Sequence, residues 1–312
     1  MKNSLINLVK ISLIVLITYY IFKEINFSKL VHVIAEYSIS WSIIAMLSVI
    51  LSDLCLAYRW KFLTNNKCSL LASFESIVIS GFLNFILPAK LGELSKLIYL
   101  KKIYQYNINN SLSILLIERI CDVFILAILT LVASTFFIEH VQATYYALSI
   151  ISIIFFLLGI LNTKLFVFFV KKLPIKYLRV YILKIRNNIL NKYSMKDFVI
   201  LIIYSFIVWC SYFLTVYIFL IHIAEFNLSI MQVLVVFIIS SIAMSIPIMP
   251  GGVGTYQASI IFALGLYNIP KEEALIAGII IHLILLFPSF LAAIIVIENK
   301  GLSIATLKKV KI

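Results

Sequence analysis

The sequence has little charge. Only 12% of its 312 residues are Asp, Glu, Lys or Arg, whereas a soluble domain has about 25%. Because 63% of the chain is hydrophobic, a soluble fold would lack the polar residues needed to cover its surface. The composition therefore excludes a soluble enzyme, a disordered scaffold and a small secreted domain held together by disulfides.

Residues that support metal-dependent or nucleophilic chemistry are also few. The four cysteines form no Cys-x-x-Cys pair, and the four histidines form no His-Glu-x-x-His motif. The only aspartates are Asp53, Asp122 and Asp197, so no Asp-x-Asp pair can chelate the metal of a nucleotide sugar. No Gly-x-Ser-x-Gly motif is present. The sequence predicts no metal and no cofactor, and the histidines are interpreted as core or interface residues.

Long apolar runs dominate the chain instead. Runs long enough to cross a membrane lie near residues 5–22, 39–58, 112–138, 144–161, 198–222, 229–247 and 274–297. The first is interpreted as a retained helix, since no signal-peptide cleavage site follows it. Two further runs, 69–87 and 257–268, are shorter or interrupted. The pattern predicts an all-α polytopic membrane helix bundle of about eight transmembrane helices, forming a single integral membrane domain over 1–312.

Basic residues set the predicted orientation. Lys and Arg number 26 against 13 acidic residues, and nine of them fall within 164–196. Basic loops stay in the cytoplasm beside anionic lipid, so this charge indicates membrane lipid and no nucleic acid as the partner. The segment 164–196 is predicted to include an amphipathic cytoplasmic helix, and both termini are predicted to be cytoplasmic. With the N-terminus inside, a full membrane crossing at 69–87 would place the basic segment 164–196 outside. This favours a re-entrant or broken segment near 69–93.

A second broken segment is predicted near 247–268. Two prolines and three glycines lie within residues 247–254, which cannot remain a regular helix. Leu87-Pro88-Ala89-Lys90 interrupts the earlier apolar run in a similar way, and paired interruptions often mark a transporter's central site. Two interpretations stay open: unwound backbone whose amides near Thr255 bind an anion, or a tight loop at the membrane surface.

Charged residues within apolar runs are functional candidates because they are costly in lipid. Glu118, Arg119 and Asp122 lie in one such run, and Glu118 and Asp122 are one helical turn apart. The favoured interpretation is a structural clamp in which Arg119 neutralises a carboxylate, and the alternative is a polar site for a head group or a proton. Arg59 with its neighbours Trp60 and Lys61 is interpreted as an interfacial anchor.

Two more carboxylates need partners. Asp53 and Glu75 are each flanked by apolar residues, and a buried carboxylate requires a compensating group. Lys90 and Arg59 are the nearest cations along the sequence. We therefore expect one of them to pair with each carboxylate.

Four motifs together resemble the lysylphosphatidylglycerol-synthase transmembrane family. They are Arg59-Trp60, Asn84-x-x-Leu87-Pro88-x-x-x-Gly92-Glu93, Glu118-Arg119-x-x-Asp122 and Pro247-x-x-Pro250-Gly251-Gly252-Val253-Gly254. They occur in the family's order over nearly the whole chain. One difference is Tyr256, where family members often carry Glu.

The resemblance implies a membrane module that moves a lipid between leaflets of a prokaryotic cytoplasmic membrane. The aminoacyltransferase domain of fused relatives is not found in these 312 residues, so lysyl transfer is not implied. Stand-alone relatives occur beside glycan-assembly genes, which adds a polyprenyl-phosphate-linked sugar to the candidate substrates.

The leading hypothesis is a translocase for a lipid or a lipid-linked glycan, or an accessory to one. Its site is a polar cavity between segments 84–93 and 247–256, where cations would offset a phosphate of an anionic phospholipid or a polyprenyl-linked sugar. The candidate residues are Arg59, Asn84, Lys90, Glu93, Glu118, Arg119, Asp122, Pro250, Gly251, Gly252, Gly254 and Thr255.

Two alternatives remain. One is a membrane glycosyltransferase that uses a polyprenyl-phosphate sugar, with Glu93, Glu118 or Asp122 as the base. The short predicted outside loops disfavour it. The other is a scaffold that holds envelope-assembly enzymes through the segment 164–196.

Overall fold

The structure is a computed structural model of the chain, and it describes residues 35–87, 90–106, 108–134, 164–172, 174–245 and 250–301. Within these residues the regular structure is helical, with no strand. This confirms the predicted all-α membrane-type bundle. The predicted spans near 5–22 and 144–161 lie outside the described residues, as do Pro88, Ala89 and Pro247.

The helices are numbered here in chain order. They are α1 (Ile39–Leu63), α2 (Leu70–Ile86), α3 (Gly92–Tyr104), α4 (Ile108–Ser134), α5 (Lys164–Lys171), α6 (Lys176–Lys192), α7 (Met195–Ile218), α8 (Ile230–Ser245), α9 (Thr255–Gly265) and α10 (Lys271–Asn299). A π-helical turn, Phe219–Ile223, continues α7, and a 3₁₀ turn, Pro250–Gly252, precedes α9.

Three helical stretches are long and apolar enough to cross a membrane: Ile39–Leu63, Lys196–Ile223 and Lys271–Asn299. They match the runs predicted at 39–58, 198–222 and 274–297. The apolar helices α2 and α8 are shorter. The last long stretch, α10, contains Pro288, which lacks the N–H of a regular helical hydrogen bond.

The chain reverses direction between α2 and α3. The first residue of α3, Gly92, lies so close to Ser80 and Asn84 of α2 that any added Cβ would collide with them. At the other end of the pair, Glu75 of α2 accepts hydrogen bonds from Tyr99 and Tyr104 of α3. The two helices therefore form an antiparallel hairpin. This geometry suits a segment that enters and leaves on one side, although the re-entrant topology stays a prediction.

The chain divides into two compact units. Among the described residues, those within 35–51, 78–93 and 212–301 belong to unit 1, and those within 52–77 and 94–211 belong to unit 2.

Aromatic packing builds unit 1. Trp41 stacks on His222 with ring centroids 4.1 Å apart, and Phe290 packs against Phe82 and Phe85. The helix α9 packs against α8 and α10. Of these residues, Phe85 lies against Gly251 of the broken segment.

In unit 2, α6 packs against α4 and α5. The C-terminal end of α1 is held by α6 and the residue after it: Lys192 Nζ donates a 2.7 Å hydrogen bond to the carbonyl of Leu63, and the hydroxyl of Tyr193 donates to the same oxygen. A helix end leaves carbonyl groups without intrahelical partners, and these two donors satisfy one of them.

Candidate functional site

Arg59 is the centre of a buried charged cluster in unit 2. Its Nη2 donates a 2.7 Å hydrogen bond to Glu118 Oε1, and its Nη1 donates a 2.6 Å hydrogen bond to Asp122 Oδ1. Arg59 is 1% exposed and Glu118 is 2% exposed. Because Glu118 and Asp122 lie one turn apart on α4, a single guanidinium on α1 can bind both.

Two further cations contact the same carboxylates. Lys96 Nζ on α3 lies 3.4 Å from Glu118 Oε2. Arg119 Nη2 lies 3.1 Å from Asp122 Oδ2 and 3.5 Å from Glu118 Oε1, but 44% of the Arg119 side chain is exposed. Arg119 thus makes an i,i+3 ion pair within its own helix, in addition to the buried pairs made by Arg59.

The predicted clamp therefore has a different arginine at its centre. Sequence reasoning assigned the buried neutralising role to Arg119, whereas the buried arginine is Arg59. The interpretation of Arg59 and Trp60 as an interfacial anchor is wrong, because both side chains are 1% exposed. The carboxylate of Glu75 accepts hydrogen bonds from the hydroxyls of Tyr99 and Tyr104, and its expected pairing with a cation stays a prediction.

The helix α7 completes the cluster with two residues that sequence reasoning missed. Ser205 Oγ accepts a 3.0 Å hydrogen bond from Arg59 Nη1, and Trp209 Nε1 donates a 3.3 Å hydrogen bond to Asp122 Oδ1. Both residues lie within an apolar run, where one serine or tryptophan gives no distinctive pattern. Their positions four residues apart on one helical face were the available signal.

The remaining predicted site residues lie in unit 1. The segment 250–254 has positive φ at Gly251, Gly252 and Gly254, with values of 61°, 71° and 84°. The aromatic ring of Phe85 occupies the position that a Cβ of Gly251 would need, and the sulfur of Met244 does the same for Gly252. This glycine segment is therefore packed backbone that only glycine fits, and Phe85 brings it into contact with the segment 84–93.

Gln257 and His282 hold the glycine segment from the side of α9 and α10. The backbone N–H of Gly254 donates a 2.7 Å hydrogen bond to Gln257 Oε1. His282 Nε2 lies 3.0 Å from the carbonyl oxygen of Gly251, and His282 Nδ1 lies 3.1 Å from Gln257 Nε2. The Gly251 carbonyl can only accept, so His282 Nε2 donates to it. The side-chain amide nitrogen of Gln257 can only donate, so His282 Nδ1 accepts, and the imidazole is therefore neutral. Both residues are buried.

Two donors that the predicted anion site would use already have acceptors within the protein. The amide of Gly254 already has an acceptor in Gln257, and the hydroxyl of Thr255 donates a 2.9 Å hydrogen bond to the carbonyl of Gly252. Sequence reasoning missed Gln257 and His282, although His282 was expected to be a core or interface residue and is a buried one.

The segment 84–93 contributes a close backbone approach. Lys90 has φ of 53°, the left-handed conformation that completes the turn before α3. Gly92 packs directly on Asn84, and the first turn of α3 carries Glu93. In the part of the chain that is described, Asn84 Oδ1 is buried and has no hydrogen-bond partner.

The twelve predicted site residues thus fall into two groups. Arg59, Glu118, Arg119 and Asp122 belong to unit 2, and the other eight belong to unit 1. Direct contacts join all four members of the unit 2 group.

The model of one protein family, described as "Lysylphosphatidylglycerol synthase TM region", matches residues 7–293. The chain belongs to this family. The match confirms the resemblance that the four motifs carry, and it identifies an integral membrane protein of a family linked to lipid or envelope metabolism. No curated protein and no solved structure matches the chain significantly.

In this lysylphosphatidylglycerol synthase TM region, the cluster around Arg59 is a group of charged side chains surrounded by apolar helices. Buried ionised groups are retained in such places only where they are paired, and they are functional candidates by default. Among the described residues, no group of three or more His, Cys, Asp or Glu side chains is arranged to hold a metal ion.

Proposed function

We propose that the protein binds a phosphate-bearing lipid or lipid-linked glycan in a prokaryotic cytoplasmic membrane and moves it between leaflets, or assists a protein that does. The observation that carries this proposal is the cluster of Arg59, Lys96, Glu118, Arg119 and Asp122, in which Arg59, Lys96 and Glu118 are buried. Cations buried among apolar helices attract an anionic head group far more strongly than exposed ones do.

The proposed orientation places 164–196 and both termini in the cytoplasm. Seven of the nine basic residues of this segment lie on two helices, α5 and α6. An amphipathic basic surface is attracted to the anionic lipids of the cytoplasmic leaflet. This arrangement would keep the cluster of unit 2 supplied with anionic lipid.

Reconstitution into liposomes tests the function directly. Vesicles containing the purified protein would be loaded with fluorescently labelled phosphatidylglycerol or a labelled polyprenyl-phosphate sugar, and the fraction that reaches the other leaflet would be followed by a membrane-impermeant quencher. We expect movement of at least one of these lipids to be faster than in empty vesicles, and Asp122→Asn to slow it. The variant Lys102→Gln, which changes an exposed residue of α3, is the matched control.

Equal rates in protein-containing and empty vesicles for both lipids would contradict the proposal. Transfer of a labelled sugar from its polyprenyl carrier to an acceptor would instead favour the glycosyltransferase. This assay measures the movement of a lipid between leaflets or the transfer of a sugar, and it does not measure binding.

A further inference from the structure

Unit 2 contains buried donors that have no acceptor. Arg59 Nε and Trp60 Nε1 have no hydrogen-bond partner among the described residues, although both side chains are 1% exposed. An unsatisfied buried N–H is costly, and each one in a native structure calls for a missing acceptor. The two donors lie on consecutive residues of α1, beside the cluster around Glu118.

Of the two buried cations of this cluster, Lys96 makes the longer ion pair. Lys96 is 5% exposed, and its polar contact within the described chain is the 3.4 Å approach of Nζ to Glu118 Oε2. An ammonium group carries three N–H donors, so most of its donor capacity is unused. Lys96 Nζ also lies 4.9 Å from the ring centroid of Trp60, which places it next to one of the two unsatisfied donors.

The charges of the cluster do not balance. Arg59, Lys96 and Arg119 are in contact with two carboxylates, Glu118 and Asp122. Three cations against two anions give these five side chains a net charge of +1, with Arg59 and Lys96 buried and Arg119 44% exposed. One bound anion would neutralise this charge and supply acceptors for the unused N–H groups.

We propose that Lys96 Nζ, Trp60 Nε1 and Arg59 Nε form the binding site for a phosphate group, supplied by the head group of a membrane lipid. A phosphate presents several acceptor oxygens and can therefore satisfy donors from two helices at once. Lys96 contacts the ligand directly, while Nη1 and Nη2 of Arg59 stay bound to Glu118 and Asp122. This inference rests on the proposed function, since it names the substrate group and the residues of α1 and α3 that recognise it.

The geometry also assigns different roles to the two buried cations. The contacts of Arg59 with the carboxylates are 2.7 Å and 2.6 Å, whereas that of Lys96 is 3.4 Å. A short ion pair holds its partner, and a long one is exchanged at lower cost. Lys96 can thus leave Glu118 for a phosphate oxygen without opening the contact between α1 and α4.

Ligand-dependent thermal stabilisation in a phosphate-free maltoside detergent tests the site. The melting temperature of the purified full-length protein would be titrated with short-chain phosphatidylglycerol, with the matching diacylglycerol that lacks phosphate, and with inorganic phosphate. We expect phosphatidylglycerol to raise the melting temperature and diacylglycerol not to do so. We expect Lys96→Gln to weaken the apparent affinity about tenfold or more, Trp60→Phe to weaken it several-fold, and Lys96→Arg to retain most of it.

The exposed residue Lys102 of the same helix provides the control, and Lys102→Gln should bind like the wild type. Inorganic phosphate could stabilise the wild type as strongly as the lipid does, in a way that requires Lys96. That result would support the phosphate site and overturn its assignment to a lipid. Lipid affinity that is unchanged in both Lys96→Gln and Trp60→Phe, or equal stabilisation by diacylglycerol, would overturn the site itself. If lipid moves in liposomes while Lys96→Gln binds like the wild type, this site fails and the proposed function stands. If binding depends on Lys96 but no lipid moves, the protein is not itself a translocase and the site stands.

Discussion

Arg59 on α1 and Glu118 on α4 form a buried ion pair with an Nη2–Oε1 distance of 2.7 Å. The same guanidinium binds Asp122 one turn further along α4 at 2.6 Å. One arginine therefore joins two helices through both carboxylates of the Glu118-x-x-x-Asp122 spacing. Arg119, which lies between them in sequence, is 44% exposed and pairs within α4.

The first prediction separates these two arginines. Replacement of Arg59 by Met leaves Glu118 buried without its main partner, and breaking a buried pair in this way costs about 3–5 kcal/mol. The variant Arg119→Met removes a half-exposed partner and should cost less than about 1 kcal/mol. Thermal unfolding of both variants in detergent measures the difference, and equal losses would contradict the assignment of the clamp to Arg59.

The second prediction concerns the glycine segment. Gly252→Ala should destabilise the protein, because φ of 71° disfavours a side chain by about 1–2 kcal/mol and the new Cβ would meet the sulfur of Met244. The additional substitution Met244→Ala should recover the steric part of this loss. Gly81→Ala is the control, since no atom lies within 4 Å of the added carbon and alanine favours a helix interior.

Melting temperatures in detergent again provide the measurement. Gly81→Ala is expected to match or exceed the wild type. A Gly252→Ala variant with wild-type stability would show that the segment tolerates a side chain, which contradicts its packing.

The third prediction tests the network of Gln257 and His282. Gln257→Leu leaves the Gly254 N–H and His282 Nδ1 without their partners, and a buried unsatisfied group costs about 1–3 kcal/mol. His282→Phe removes the donor to the Gly251 carbonyl. Because both residues act on the same segment, the double variant should lose less than the sum of the single losses.

His222 provides the control for the substitution of His282. It stacks on Trp41, and His222→Phe keeps an aromatic ring there, so a smaller loss is expected. Strictly additive losses for Gln257→Leu and His282→Phe would show that the two residues do not form one network.

The sequence predicted the elements of this molecule better than their contacts. The composition and the apolar runs indicated an all-α membrane protein, and the spacing of Glu118 and Asp122 indicated a shared face. The partner of that face could not be predicted, because Arg59 lies 59 residues earlier and no local periodicity connects positions so far apart. The nearest cation in sequence, Arg119, was therefore assigned a role that belongs to Arg59.

The glycine segment shows a similar limit. Two prolines and three glycines predicted a break in the helix, since proline lacks the backbone N–H and glycine loses the most conformational freedom when it is held in a helix. The acceptor for the Gly254 amide is a side chain only three residues away, Gln257, but the orientation of Gln257 depends on His282, which lies 25 residues further on. Local composition identified the broken backbone, and tertiary contacts determine what its polar groups bind.

The fourth prediction concerns Lys192, at the end of α6 outside the membrane-spanning helices. Burial, together with the nearby charge of Lys67, lowers the pKa of Lys192 to about 8. Lys192 should therefore react with an amine-acylating reagent with a midpoint near pH 8, which mass spectrometry of its peptide can follow. Lys67→Gln should move this midpoint upward by only part of the shift, because burial is the larger cause.

The same shift has a consequence for stability. Between pH 8 and the ordinary lysine value near 10.4, the unfolded chain keeps the proton that the folded protein has lost. The unfolded state then binds more protons, so the contribution of Lys192 to folding stability rises with pH across this window. A reaction midpoint unchanged by Lys67→Gln would contradict the effect of the second lysine.

The fifth prediction tests the hairpin of α2 and α3 through Glu75. Its buried carboxylate accepts hydrogen bonds from Tyr99, which is 0% exposed, and from Tyr104, which is 37% exposed. Tyr99→Phe removes a donor that water cannot replace, and it should cost about 1.5–3 kcal/mol. Tyr104→Phe should cost less, because solvent can reach the vacated position. Both substitutions preserve the ring contact between residues 99 and 104, whose centroids are 6.1 Å apart, so packing is controlled.

A double-mutant cycle completes this test. If the hydrogen bond to Glu75 accounts for the loss, Tyr99→Phe should cost much less in a Glu75→Leu background, because no buried carboxylate is then left without its donor. Thermal unfolding of the four proteins in the same detergent gives the coupling energy directly. A loss from Tyr99→Phe that is equal in both backgrounds would mean that Tyr99 acts through packing alone, and Glu75 would then not link the two helices of the hairpin.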